Sequence, residues 1–66
     1  INHGKITNNI NDKKGQYVIY KNKEYYQMAV FYGLKQELIS FSALTHEKYY
    51  PKNIELFKYI ALNLKF

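Results

Sequence analysis

The 66 residues contain no cysteine, no arginine and no tryptophan, with one proline and three glycines. Without cysteine neither a disulfide nor a thiolate metal site can form, so the usual staples of small secreted scaffolds are excluded and a cytoplasmic protein is expected. Arginine is the bidentate reader of phosphates and guanine edges, so a chain with only lysine can attract a polyanion but reads base sequence poorly. Nowhere do about 18 apolar residues run together as a membrane-spanning helix requires, and no membrane partner is expected. Gly4, Gly15 and Gly33 lie far apart, which leaves no glycine-rich phosphate loop, and Ser40 and Ser42 lack the flanking glycines of a nucleophile elbow.

Lysine and tyrosine fill the space left by these absences. Ten lysines against five acidic residues give a formal charge of +5, and eight tyrosines with four phenylalanines bring the aromatic content to 18%. A domain of this size buries only about 60% of the surface its unfolded chain exposes, so large aromatic rings must supply much of the core. Asparagine, lysine, isoleucine and tyrosine are also what an AT-rich genome encodes, and lysines keep a small hydrophobic domain soluble. The chain begins at Ile1 rather than methionine, as expected of a trimmed, processed or excised piece. Its length suits a single domain spanning residues 1–66.

The most structured stretch is Gln16 to Tyr32. Tyr17-Val18-Ile19-Tyr20 and the run from Tyr25 to Tyr32 meet across Lys21-Asn22-Lys23 and predict a β-hairpin, with Asn22 as the residue that tolerates a left-handed backbone. Alternation places Tyr26, Met28, Val30 and Tyr32 on one face and Tyr25, Gln27, Ala29 and Phe31 on the other, so neither face is conventionally polar. Upstream, Ile1 to Lys5 reads as a flexible lead-in, Ile6 to Ile10 as a weak strand, and Asp12-Lys13-Lys14-Gly15 as a type I turn. Beyond Gly33, Ile39, Phe41 and Ala43 alternate with Ser40 and Ser42 as in a half-buried strand. The C-terminus supports two readings. A short helical turn over residues 53–57 followed by a final strand absorbs the period-two set Ile60, Leu62, Leu64 and Phe66. A helix over 52–64 instead gathers Ile54, Leu56, Phe57, Ile60, Ala61 and Leu64 on one side.

Tyr50-Pro51-Lys52-Asn53-Ile54 resembles the short helical turn before the last strand of SH3-like barrels. Lys21 to Glu24, Tyr25 to Val30, Glu37-Leu38 through Ala43-Leu44, Pro51, and Glu55-Leu56-Phe57 are similar to a bacterial family of short stand-alone domains of unknown function. The chain departs from that family in having Tyr49-Tyr50 where a tryptophan usually precedes the proline, and in lacking arginine. The resemblance implies a small barrel and no particular activity. The expected fold is therefore mainly β, an SH3-like barrel or meander of about five strands with a short helical turn at 53–57. The alternative is an α+β arrangement, a three- or four-stranded meander packed by a helix over 52–64.

Chemistry is sparse. The histidines are His3, in the lead-in, and His46, beside Glu47; neighbours in sequence do not face one another on a strand, and two histidines with scattered carboxylates make no zinc spacing. No catalytic residue, metal, cofactor or small-molecule substrate is expected. The expected function is a non-catalytic interaction module that binds a protein partner or self-associates through a tyrosine-rich sheet, using Tyr25, Phe31, Tyr49 and Tyr50. The alternative is nucleic-acid binding by a lysine and tyrosine patch of Lys5, Tyr20, Lys21 and Lys23, with lysines on phosphates and rings stacked on unpaired bases.

Overall fold

The structure, a computed structural model, describes residues 2–66. Four strands, β1 (Asn2–Thr7), β2 (Lys14–Asn22), β3 (Tyr25–Gly33) and β4 (Leu38–His46), form one antiparallel meander in the order β1-β2-β3-β4. A 3-10 turn at Glu47–Tyr49 leads into the single helix α1, Tyr50–Leu62. The described residues are thus mainly β, with four strands and one helix, which corresponds to the meander-plus-helix alternative and not to five strands.

The meander follows from alternation. Gly15, Tyr17, Ile19 and Lys21 of β2 stand opposite Tyr32, Val30, Met28 and Tyr26 of β3, which stand opposite Ile39, Phe41, Ala43 and Thr45 of β4. These residues share one face, and α1 covers it. The buried core is Ile19, Met28, Val30, Tyr32, Ile54 and Ala61, with Ile6, Tyr17, Tyr26, Ile39, Phe41, Tyr50, Phe57 and Leu64 packed around it. Each such aliphatic or aromatic side chain contributes about 1.5–3 kcal/mol when fully buried, which is how a cysteine-free chain of this size holds together.

Three boundaries differ from expectation. Of the expected lead-in Ile1 to Lys5, Ile1 lies outside the described residues, and Asn2 to Lys5 pair with Gln16 to Ile19 as the main part of β1. The strand expected over Ile6 to Ile10 stops at Thr7 because Asn8 turns inward, and the reversal falls on Asn8 to Lys13, with Asp12 at φ 58° and Gly15 already inside β2. The β2–β3 turn is the pair Lys23-Glu24, and the left-handed residue is Lys23 (φ 57°), not Asn22, because Asn22 pairs with Tyr25.

Residues 58–62 are helical, so the final strand does not form. Pro51 occupies the first turn of α1, where its missing N–H costs nothing. Ile54, Phe57 and Ala61 recur at helical spacing toward the sheet, and the Asn63 side chain donates to the Tyr59 carbonyl (2.8 Å) to finish the helix. The period-two set is divided as a result: Ile60 is exposed on the helix, Leu62 is half-buried, and Leu64 and Phe66 belong to a tail, with the Phe66 ring 5.1 Å from that of Tyr32.

Candidate functional site

With α1 on one face, the opposite face of the sheet stays open. It carries Lys5 and Thr7 from β1, Gln16, Val18 and Tyr20 from β2, Tyr25, Gln27, Ala29 and Phe31 from β3, and Leu38, Ser40, Ser42 and Leu44 from β4. Its large apolar groups are substantially solvated: Leu38 is 63% exposed, Leu44 61%, Tyr25 41% and Phe31 40%. Across the middle, Gln27 donates to Ser42 Oγ at 2.8 Å beside the small side chain of Ala29. This low waist divides the face into two ends.

At one end a groove of about 550 Å³ is lined by Lys5, Thr7, Lys14, Gln16, Phe31 and Leu38. No carboxylate takes part in that lining, so the groove is basic with an aromatic wall. At the other end Tyr25, Gln27 and Leu44 border a depression of about 340 Å³ with the turn residues Asn22, Lys23 and Glu24. There the Tyr25 ring meets His46 edge-on at 5.4 Å. His46 Nδ1 accepts from the Lys48 N–H (3.1 Å), capping the 3-10 turn and leaving Nε2 directed to Glu24 at 3.6 Å. The carboxylate that His46 meets is thus across the hairpin, not its sequence neighbour Glu47.

Of the residues expected to contact a partner, Tyr25 and Phe31 lie on the open face. Six positions apart on β3, they stand at opposite ends, roughly 20 Å from each other at strand spacing. Tyr49 is 57% exposed at the start of α1, whereas Tyr50 stacks on Tyr26 with centroids 3.8 Å apart and belongs to the packing around the core. Tyr50 therefore does not extend the surface that Tyr25 and Phe31 occupy.

The lysine cluster is not assembled as expected. Lys5 pairs with Gln16, five positions along β2 from Lys21 and so roughly 16 Å away. Lys21 lies on the helix side, where its Nζ meets Glu47 Oε2 at 2.9 Å and sits 5.6 Å from the centre of the Tyr26 ring. The hydrogen bond and charge of Glu47 hold Lys21 above its ordinary pKa, and Lys21 in turn holds Glu47 below its own. Lys23 is exposed in the turn, and Tyr20 is on the open face near Gln27. The lysine that does join Lys5 is Lys14.

Sequence reasoning passed over Lys14, Leu38 and Leu44 as surface residues. The signal was present in β4: Leu38, Ser40, Ser42 and Leu44 share a parity, so the alternation that buries Ile39 and Phe41 exposes both leucines.

Comparison with known protein families, curated proteins and solved structures returns no match. Among the described residues no three of histidine, cysteine, aspartate and glutamate converge as metal ligands, and no helix is long and apolar enough to cross a membrane.

Proposed function

We propose that the chain is a non-catalytic interaction module and that the open face of its sheet receives a protein partner. The observation that carries this reading is the solvation of Tyr20, Tyr25, Phe31, Leu38 and Leu44 on one face of a sheet whose other face already has its helix. Small domains seldom leave so much apolar side chain on one surface without use, and tyrosine in particular offers a large contact area and a hydroxyl at little rotamer cost. The two ends of the face would anchor a partner around the Gln27–Ser42 waist.

A second reading rests on the groove of Lys5, Lys14 and Phe31. Two lysines without a carboxylate beside an exposed ring suit a single-stranded nucleic acid, with phosphates on the ammonium groups and a base on Phe31.

Salt separates the two. Retention by a protein partner through aromatic contacts persists in 1 M salt and is lost on Tyr25→Ser or Phe31→Ser. Binding to an oligonucleotide weakens steeply with salt and is lost on Lys5→Gln with Lys14→Gln. If neither a protein nor an oligonucleotide is retained at low salt, both readings fail.

A further inference from the structure

The outer edge of β4 is unpaired and unguarded. Antiparallel ladders alternate between residues that exchange backbone hydrogen bonds and residues that do not. The Glu47 N–H donates to the Glu24 carbonyl at 2.7 Å and the Leu34 N–H to the Glu37 carbonyl at 2.8 Å, which fixes the phase at both ends of the β3–β4 register. Ile39, Phe41, Ala43 and Thr45 therefore bond to β3. The N–H and C=O groups of Leu38, Ser40, Ser42 and Leu44 point away from the sheet.

A long edge of this kind is a template for another strand unless charge, proline or a bulge blunts it. From Leu38 to Thr45 β4 has no charged residue and no proline. β1, at the opposite edge, is shorter, with six residues, and carries Lys5.

Apolar side chains flank this edge on both sides of the sheet. On the open face they are Leu38 and Leu44. On the helix side, Asn53 Nδ2 donates to Thr45 Oγ1 at 3.0 Å, which turns one flank of α1 toward β4. Lys58 and Leu62, on the other flank, line a cleft with Ile6 and Tyr17 of β1 and β2. Leu56 and Ile60 follow Asn53 by three and seven positions and so share the β4 flank, where they are 52% and 37% exposed. Edge backbone and flanking aliphatics make one neutral strip on a molecule of charge +5.

We infer that this strip docks against the same strip of a second copy of the chain. β4 pairs antiparallel with β4 about a two-fold axis, joining two sheets into eight strands with the two α1 helices side by side. From Leu38 to Thr45 the edge carries no charge, so two copies of charge +5 meet there with less repulsion than elsewhere. The strand is also self-complementary, as an isologous contact requires. An axis through Ser42 uses the whole of β4, setting Ser42 against Ser42, Ser40 against Leu44 and Leu38 against His46. On the helix side the same register sets Phe41 against Ala43, large against small. Leu38 and Leu44 are shared with the open-face reading, but neither Tyr25 nor Phe31 is needed, so substitution of those two rings separates the contacts.

Sedimentation equilibrium from about 10 µM to about 1 mM, with amide hydrogen exchange at both limits, tests it. A dimer is expected, with the Ser40, Ser42 and Leu44 amides protected at high concentration and free at low. Ser42→Lys, and separately Leu56→Lys, each raise the dissociation constant at least about tenfold, while Tyr25→Ser with Phe31→Ser leaves it unchanged. Both lysine variants alter exposed side chains, and circular dichroism confirms that they fold. A chain still monomeric at 1 mM overturns the inference, whatever foreign strand it accepts. So does a dimer indifferent to both lysine variants whose even-numbered β4 amides exchange freely.

Discussion

The Asn8 side chain donates to the Leu64 carbonyl at 2.9 Å, tying the first loop of the meander to the tail behind the helix across 56 positions. Its oxygen meanwhile accepts from the N–H groups of Ile10 (2.8 Å) and Asn11 (3.2 Å), so both the nitrogen and the oxygen of a fully buried amide have partners. Each net hydrogen bond contributes about 1 kcal/mol, so Asn8→Ala is expected to cost about 2–3 kcal/mol. For a domain this small that is a fall of roughly 10–20 °C in melting temperature, read by calorimetry. A change under about 2 °C would mean that Asn8 does not hold the loop to the tail.

Tyr32 makes the corresponding contact from the sheet. Its hydroxyl donates to the Ala61 carbonyl at 2.7 Å, and burial raises its pKa above the ordinary 10.0. The folded state then keeps the proton more tightly than the unfolded chain does. The contribution is complete below pH 10.0 and is lost as pH rises from there through the folded value. Denaturant unfolding between pH 7 and 11 should show stability falling above about pH 10 in the wild type. Tyr32→Phe should lose about 1 kcal/mol at pH 7 and flatten that alkaline fall.

Two glycines in the sheet differ in what they permit. A Cβ at Gly15 would lie 2.5 Å from the Phe31 carbonyl oxygen and 2.7 Å from the Tyr32 ring, whereas at Gly33 nothing lies within 4 Å. Gly15→Ala should therefore destabilise by about 2 kcal/mol or more, since backbone and a buried ring must both shift. Gly33→Ala should be neutral or stabilise by about 0.5 kcal/mol, because glycine in a strand loses more chain entropy on folding. Equal effects would contradict the close packing assigned to Gly15.

Lys23 adopts φ 57° in the β2–β3 turn, a conformation that costs a side chain with a Cβ about 1–2 kcal/mol. Lys23→Gly should recover part of this, with a net gain of about 0.5–1 kcal/mol and a melting temperature higher by roughly 2–8 °C. A loss of stability would show that the lysine side chain holds the turn in some other way.

Strands β2, β3 and β4 were legible because alternation is a local signal, repeated over nine residues in each. Alternation along β3 alone places Tyr25 and Phe31 on one face. The C-terminus was not decidable in the same way, because Ile60, Leu62 and Leu64 satisfy period two as well as the helix does. What separates the readings is tertiary: the sheet face of β2 to β4 that α1 covers, and the Asn8–Leu64 bond. Asn8 lowered the expectation of a strand, yet its role needs a partner 56 positions away that no local pattern announces. The lysine patch failed to assemble for a similar reason. Moving the first strand back to Asn2–Thr7 shifts Lys5 toward Lys14 and away from the β2–β3 turn.

The central claim is that the uncovered face of the sheet is the working surface, and capture from an extract of the source cells under 1 M salt tests it most directly. The wild-type chain should retain a defined protein that is released by Tyr25→Ser with Phe31→Ser and kept by Tyr59→Ser, which removes an exposed ring from the helix and leaves the sheet unchanged. Retention unaffected by the paired serine substitutions, or no protein retained by the wild type, would contradict the account.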